Sequence, residues 1–233
     1  KPMALFSIKI AGAVFQVRSL FESTRDYCRA YLTEGTPDFS ISVLPADLVF
    51  EQAAADEEAR EEGLRLRKFS DPFLERAAIQ RMVAENLISR DVLLLHGSTV
   101  AVDGQSFLFT ARCGTGKSTH TRFYREVFGD RAVMVNDDKP FLRIEEDRIL
   151  VCGSPWSGKH GLDTNTEVCL GGICLLERGL ENRICRLEEA GFSQMTKELR
   201  WFMEPERIPQ FDALAEKLMR RTALWHLWCN QKS

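Results

Sequence analysis

Short apolar runs broken by polar residues open the chain and predict β-strands near its start. These runs lie at residues 5–10, 14–17 and 39–43. A helical pattern near residues 21–32 precedes the third run, and an acidic stretch at residues 51–62 is typical of a solvated helix face or a loop. We therefore expect residues 1–70 to form an N-terminal α/β segment that packs on the rest of the chain.

A long amphipathic helix is predicted to follow this segment. The Ser-Asp-Pro sequence at residues 70–72 is a helix start signal. Apolar side chains then recur at helical spacing, at Phe73, Leu74, Ala77, Ile79, Met82, Val83, Leu87 and Ile88. We assign this helix to a second domain, residues 71–233.

An Asp-Gly pair at residues 103–104 separates two apolar runs, residues 98–102 and 105–110, and a further run at residues 92–95 precedes them. Asp-Gly between two such runs is a strong hairpin signal, so the strand that ends at Thr110 is expected to be antiparallel to its predecessor. The equivalent strand of a doubly wound nucleotide-binding fold lies in a parallel sheet. The pattern therefore predicts an α/β fold with a mixed, partly antiparallel sheet and flanking helices.

The last part of the chain has two helical patterns, near residues 192–203 and 210–228. His226 lies inside the second pattern and is expected to serve packing. Trp201, Trp225 and Trp228 are expected to form a core or a subunit contact, which leaves a homo-oligomer open.

The composition narrows the classes of function. The 233 residues have a formal net charge of -3 and 28% charged residues, which gives no general attraction to nucleic acid or to an acidic membrane surface. No apolar run approaches the roughly 20 residues of a membrane span, and the chain starts without a signal-peptide pattern. Seven cysteines without a Cys-x-x-Cys pair suit a reducing compartment and are expected to be small buried residues. We expect a cytoplasmic protein with neither nucleic acid nor membrane as a partner.

A glycine-rich segment carries the clearest chemistry. Residues 111–119 read Ala-Arg-Cys-Gly-Thr-Gly-Lys-Ser-Thr between a predicted strand and a helical pattern at residues 117–127. Glycines allow backbone N–H groups to close around phosphate oxygens, and the helix start adds free donors. Lys117 would reach the outer phosphates of ATP, and the Ser118 hydroxyl would bind Mg²⁺. The predicted ATP-binding residues are Cys113, Gly114, Thr115, Gly116, Lys117, Ser118 and Thr119. The usual phosphate-loop pattern begins with glycine, where this chain has Ala111.

A pair of carboxylates follows the next predicted strand. Residues 131–135 are largely apolar and are followed by Asn136, Asp137 and Asp138. Next to a phosphate loop, one carboxylate would hold Mg²⁺ and the other would accept the proton of an attacking hydroxyl.

These motifs resemble, in order and spacing, those of bacterial HPr serine kinase/phosphorylase, and they are similar to the nucleotide-binding half of ATP-dependent phosphoenolpyruvate carboxykinase. The resemblance covers about residues 90–180 and includes Leu-His-Gly at residues 95–97. It implies a core in which the phosphate-loop strand is antiparallel to its neighbour. We find neither the carboxykinase's separate substrate lobe nor the HPr kinase signature after the acidic pair. The resemblance therefore implies a compact HPr-kinase-like protein that acts on a protein, a peptide or a small molecule.

Site roles follow from the resemblance residue by residue. Asp137 resembles the catalytic aspartate and Asp138 the metal-binding one, with the order within the pair left open. Lys117 and Ser118 resemble the phosphate-binding lysine and the metal-binding hydroxyl. His96 lies where both families place a functional histidine, so we assign it to the catalytic site.

A turn-rich loop after the acidic pair supplies two more candidates. Residues 153–165 contain Lys159 and His160 among glycines, hydroxyls and an aromatic residue, without the periodicity of a helix or strand. Lys159 would neutralise charge on the transferred phosphoryl group, and His160 would assist or bind the acceptor. Arg178 is a weaker candidate for a phosphate contact.

The sequence thus favours a kinase that uses Mg²⁺ and ATP, with an unidentified hydroxyl acceptor. Two alternatives stay open: a non-catalytic nucleotide-binding regulatory module or ATPase, and a reduced carboxykinase-like enzyme for a small organic acid.

Overall fold

The computed structural model describes residues 3–61, 63–158, 160–201 and 203–230. The chain forms two compact units, Lys1–Ser89 and Arg90–Ser233. The predicted domain boundary between residues 70 and 71 falls one helix earlier than this division. No helix among the described residues combines the length and the apolar character that crossing a membrane requires.

The first unit is a small sheet with helices. Its elements are β1 (Ala4–Ile10), β2 (Ala13–Ser19), α1 (Glu22–Tyr27), β3 (Phe39–Ser42), α2 (Pro45–Glu61) and α3 (Asp71–Ile88). β1 and β2 are antiparallel, and β3 pairs with β2 in parallel. Helix α3 begins where the Ser-Asp-Pro signal predicted, and it buries Leu74, Ala78 and Val83 on its apolar face. Residues 51–61 of the acidic stretch belong to α2, which has no buried residue.

The second unit contains the predicted chemistry. Its strands are β4 (Val92–Leu94), β5 (Ser98–Val102), β6 (Gln105–Thr110), β7 (Ala132–Asn136), β8 (Phe141–Ile144), β9 (Ile149–Cys152), β10 (Glu167–Arg178), β11 (Arg183–Arg186) and β12 (Leu224–Cys229). Its helices are α4 (Lys117–Phe128), α5 (Phe192–Leu199) and α6 (Ile208–Arg220).

These strands form one mixed sheet. The order along its main path is β4-β8-β9-β10-β6-β5-β7, and β12 joins β10 while β11 joins β12. β5 and β6 are antiparallel, as the Asp-Gly hairpin signal predicted. β6 and β12 are both parallel to β10, and β7 is antiparallel to β5. The carboxyl ends of β6, β7, β10 and β12 therefore meet at one edge of the sheet, which we call the site edge.

Alternation along the central strands builds a core on each face of this sheet. Leu108 belongs to a cluster that includes residues of α5 and α6. Its neighbour Phe109 belongs to a second cluster, against which Tyr124 of α4 packs. The sheet thus lies between α5 and α6 on one face and α4 on the other, and the mixed α/β architecture agrees with the predicted fold class.

The predicted helix at residues 210–228 is wrong in its second half. Helix α6 ends at Arg220, and Leu224–Cys229 is strand β12. Parallel pairing with β10 and antiparallel pairing with β11 satisfy the backbone groups of β12. The three tryptophans do not form one group, because Trp201 packs on the core cluster of α5 and α6 while Trp225 packs on the opposite cluster.

The cysteines fall into three classes of exposure, and Cys185 and Cys229 are partly buried. Cys28, Cys152 and Cys174 are buried, and burial raises the pKa of each thiol to about 12. Cys113 and Cys169 are exposed, so for these two residues the expectation of small buried side chains is wrong.

Candidate functional site

The glycine loop, residues 111–116, connects β6 to α4 at the site edge. Gly114 and Gly116 have φ angles of 75° and 122°, a region that side chains with a Cβ rarely adopt. Nothing lies within 4 Å of the position that a Cβ would take at Gly114, so the loop is open on that side. Ser118 and Thr119 are exposed in the first turn of α4, where backbone N–H groups lack partners within the helix.

Lys117, the first residue of α4, lies across the glycine loop. Its Nζ donates a hydrogen bond to the Ala111 carbonyl oxygen at 2.9 Å. Burial lowers the pKa of this ammonium group, while nearby Cys113 and Asp138 act in the opposite direction.

Asp137 is buried just after the end of β7, with 5% of its surface exposed. Its Oδ1 accepts a hydrogen bond from the Ser98 hydroxyl at 2.7 Å. The Ser98 Oγ also lies 2.9 Å from the Thr121 Oγ1 of α4. A buried chain of hydroxyl groups thus ties Asp137 to the helix that follows the glycine loop.

Asn136 fixes the backbone around the acidic pair. Its Oδ1 accepts the backbone N–H groups of Asp138 and Lys139 at 2.9 and 2.7 Å. Its Nδ2 lies 3.1 Å from the backbone oxygens of Ser154 and Trp156. One buried amide therefore holds the turn after β7 and the loop that starts at residue 153.

His96 lies between β4 and β5 beside Asp138. Its Nε2 is 3.8 Å from the Asp138 Oδ1, and 38% of the Asp138 side chain is exposed. Burial is the main cause that lowers the pKa of His96 to about 3, and the charges of Lys139 and Lys117 lower it further. A hydrogen bond to the Glu198 backbone acts in the opposite direction. The imidazole is therefore neutral at neutral pH.

Gly97 explains why this segment can lie so close to β6. A Cβ at this position would be 2.8 Å from the Leu108 Cδ2 and 3.0 Å from the Phe109 carbonyl oxygen. The Gly97 N–H donates to the Asp138 carbonyl oxygen at 3.0 Å. A side chain at residue 97 would push His96 and the acidic pair away from the sheet.

The loop at residues 153–165 packs against the acidic pair. A Cβ at Gly158 would lie 3.3 Å from the Asp138 Cβ and 3.9 Å from the Asp137 Oδ2. The Ser157 hydroxyl donates to the Asp163 Oδ1 at 2.6 Å, which closes the loop on itself. His160 is exposed two residues after Gly158. Lys159 lies outside the described residues.

The structure therefore brings the predicted residues together from separate segments. The glycine loop, Lys117, His96 and the acidic pair meet at the site edge, and the loop at residues 153–165 borders them. Arg178, at the end of β10, donates a hydrogen bond to the Gly114 carbonyl oxygen at 2.7 Å.

Sequence reasoning missed Ser98 and Asn136. Each is a polar residue buried in a strand, and this burial becomes visible only in the folded structure. Within the described ranges, no group of three or more His, Cys, Asp or Glu side chains is placed to hold a metal ion.

Comparison with known proteins gives little further information. No protein-family model matches the chain, and no curated protein matches it. Among solved structures, the chain is similar to the HPr(Ser) kinase/phosphatase from Coxiella burnetii, with 12% sequence identity and a TM-score of 0.32. The match covers 55% of this chain and 91% of that chain.

Proposed function

We propose that this protein is an ATP-dependent phosphotransferase that transfers the γ-phosphoryl group to a hydroxyl of a protein, a peptide or a small molecule. The observation that carries the proposal is the buried link from Asp137 through Ser98 to Thr121 of α4. This link supports a position for the Asp137 carboxylate, which can act as a base, beside helix α4. The first turn of α4 would hold the phosphates. The order of the motifs resembles that of HPr serine kinase and agrees with this proposal. We also propose that the chain belongs to that kinase-like group.

The glycine loop and the start of α4 would bind the phosphates. Gly114 and Gly116 have backbone angles that turn the chain tightly, and the loop has open space on the Gly114 side. Free backbone N–H groups and the helix dipole both favour a bound anion there. Lys117 would leave the Ala111 carbonyl oxygen and contact the outer phosphates, where a cation stabilises the charge of the transferred group.

The oxygen donors suit magnesium. Ser118 has an exposed hydroxyl, and Asp138 is the more exposed carboxylate of the pair. Mg²⁺ is commonly held by one or two protein oxygens together with water and substrate phosphates. When bound, the ion would neutralise charge on the phosphate oxygens.

Asp137 is the better base of the two carboxylates. Ser98 holds its Oδ1, which leaves Oδ2 facing the backbone of Gly158. An acceptor hydroxyl that enters between the glycine loop and residues 153–165 would meet this oxygen and pass its proton to it. His96 would act as a neutral group beside Asp138, and Lys159 and His160 would contact the acceptor.

The test uses two variants with different expected defects. Lys117→Ala should lose most of its ATP affinity in calorimetry. Asp137→Asn preserves the shape and the oxygen that accepts from Ser98, so it should bind ATP within a few-fold of wild type. Its phosphoryl transfer from γ-labelled ATP should nevertheless fall by on the order of 10² or more, as is usual for loss of a positioned base.

Exposed residues on other elements provide matched controls. Lys197→Ala on α5 and Asp130→Asn after α4 should change neither binding nor transfer. The acceptors to screen are serine-containing peptides and small hydroxyl metabolites. Normal ATP affinity in Lys117→Ala would exclude the nucleotide site, and normal transfer in Asp137→Asn would place the base elsewhere. ATP binding by the wild type without transfer or hydrolysis would favour the regulatory module.

A further inference from the structure

A cleft lies at the site edge, on the side of the glycine loop away from Asp137. This cleft has a volume of about 410 Å³, within the roughly 300–1,000 Å³ of small-molecule sites. The glycine loop, the first two turns of α4 and the ends of β10 and β12 form its walls. We call it the β10–β12 cleft.

The order of the strands determines how a ligand bound at the site edge would be oriented. β6, which leads into the glycine loop, lies between β10 on one side and β5 on the other. The β10–β12 cleft is on the β10 side, whereas Asp137 follows β7, which is the neighbour of β5. Helix α4, which begins with Lys117, is tied to Asp137 through the Thr121 and Ser98 hydroxyls. A triphosphate whose outer end faces Lys117 and Asp137 would have its other end toward the cleft.

The cleft offers the contacts that a nucleoside needs. Phe123 lines it from α4 and keeps 39% of its surface exposed, and Leu176 provides an apolar floor from β10. An aromatic face of this kind can stack on a base.

Polar groups surround this apolar surface. Glu177 borders the cleft at the end of β10, and its carboxylate lies 2.9 Å from the His226 Nε2. Asn230 also lines it, and its buried Oδ1 has no hydrogen-bond partner among the described residues. Arg178 lies where the cleft meets the glycine loop, bonded to the Gly114 carbonyl oxygen.

We propose that the β10–β12 cleft binds the nucleoside end of the triphosphate. The base lies against Phe123 and Leu176. Arg178 contacts the phosphate next to the ribose. This assignment rests on the proposed function, and it makes ATP a better ligand than its phosphate chain alone.

The experiment compares the dissociation constants of ATP and inorganic tripolyphosphate, both with Mg²⁺, by calorimetry. Wild-type protein should bind ATP at least about tenfold more tightly than tripolyphosphate, since base stacking is absent from the latter. Phe123→Ala should weaken ATP binding about tenfold and leave tripolyphosphate binding unchanged. Phe123→Tyr keeps the aromatic face and should retain wild-type ATP affinity.

The matched control is Val127→Ala, one helical turn further along α4, with 76% of its surface exposed. It should alter the binding of neither ligand. Equal affinity of the wild type for both ligands, or unchanged ATP binding in Phe123→Ala, would place the nucleoside elsewhere and leave the phosphate site intact. An equal loss of both ligands in Phe123→Ala would show that Phe123 supports the phosphate site rather than the base, which would also overturn the assignment. If the wild type binds neither ligand, the proposed function itself fails.

Discussion

Ser98 is the residue whose contribution to the site is most specific. It is buried in β5, its hydroxyl donates to the Asp137 Oδ1, and it contacts the Thr121 hydroxyl. A hydroxyl that holds one carboxylate oxygen fixes the direction of the other. Ser98 is therefore a positioning residue for the proposed base.

Replacing Ser98 by alanine should lower kcat for phosphoryl transfer about tenfold with little change in the KM for ATP, because Asp137 loses its orienting donor. Stability should also fall by about 1–3 kcal/mol, the usual cost of leaving a buried polar group without its partner. Ser106→Ala is the matched control, since Ser106 is a buried β6 serine that bonds to the Cys169 carbonyl oxygen instead. A Ser98→Ala enzyme with normal kcat would show that Asp137 needs no such support.

His96 makes stability depend on pH. Its pKa is about 3 in the folded protein, mainly because of burial, against 6.5 for an ordinary histidine. Between these values the unfolded chain holds a proton that the folded protein lacks. Stability therefore falls as pH falls below about 6.5, by up to about 1.4 kcal/mol per pH unit from this group. Burial also lowers the pKa of His120, which adds a contribution of the same sign.

His96→Asn should remove the contribution of His96 to the pH dependence of stability. The measurement is the free energy of unfolding from urea titrations between pH 4 and 6.5, in the presence of a chelator. The variant should show a shallower decline toward acid than the wild type, with the His120 contribution remaining. Identical slopes would mean that His96 is protonated alike in the folded and unfolded states.

At the scale of elements, contacts of Asn136 and Ser157 hold the described part of the loop at residues 153–165. Asn136 holds the backbone of Ser154 and Trp156, and Ser157 bonds to Asp163. The loop should therefore keep its place when Lys159 and His160 are changed.

The double variant Lys159→Ala with His160→Ala should spare ATP binding and abolish transfer to the true acceptor, leaving at most slow hydrolysis. The same labelled-ATP assay checks this outcome against calorimetric ATP affinity. Loss of ATP affinity as severe as in Lys117→Ala would assign the loop to the nucleotide site. Unchanged binding and transfer would remove the loop from the mechanism.

Strand β12 shows how an element gains a function from its neighbours. Its parallel pairing with β10 brings Asn230 and Glu177 to one cleft, although the two residues are far apart in sequence. A helix over the same residues would have left β10 without this neighbour and the cleft without its second wall.

At the scale of the whole molecule, every candidate site residue belongs to the second compact unit, Arg90–Ser233. Its sheet collects four strand ends at one edge, and connecting loops at such an edge are free to carry binding groups while the strands remain in the core. The first unit, with its own small sheet and helices, supplies none of the residues to which we assign a role.

The local conformation of single segments was readable from the sequence. Glycine spacing before Lys117 and Ser118, the Asp-Gly hairpin and the acidic pair after a strand all depend on local geometry, which neighbouring residues determine. The hairpin and the mixed α/β fold class were confirmed on this basis. The position of α3 was also predicted closely, because its start signal and apolar stripe are both local.

Only the tertiary structure decided which segments meet and which strands pair. Residues 224–229 satisfy a helical pattern locally, yet pairing with β10 and β11 makes them a strand. The bond from Ser98 to Asp137 joins residues 39 positions apart, and no local pattern encodes such a contact. The β10–β12 cleft arises in the same way, since a cavity is bounded by elements whose approach depends on the packing of the whole sheet.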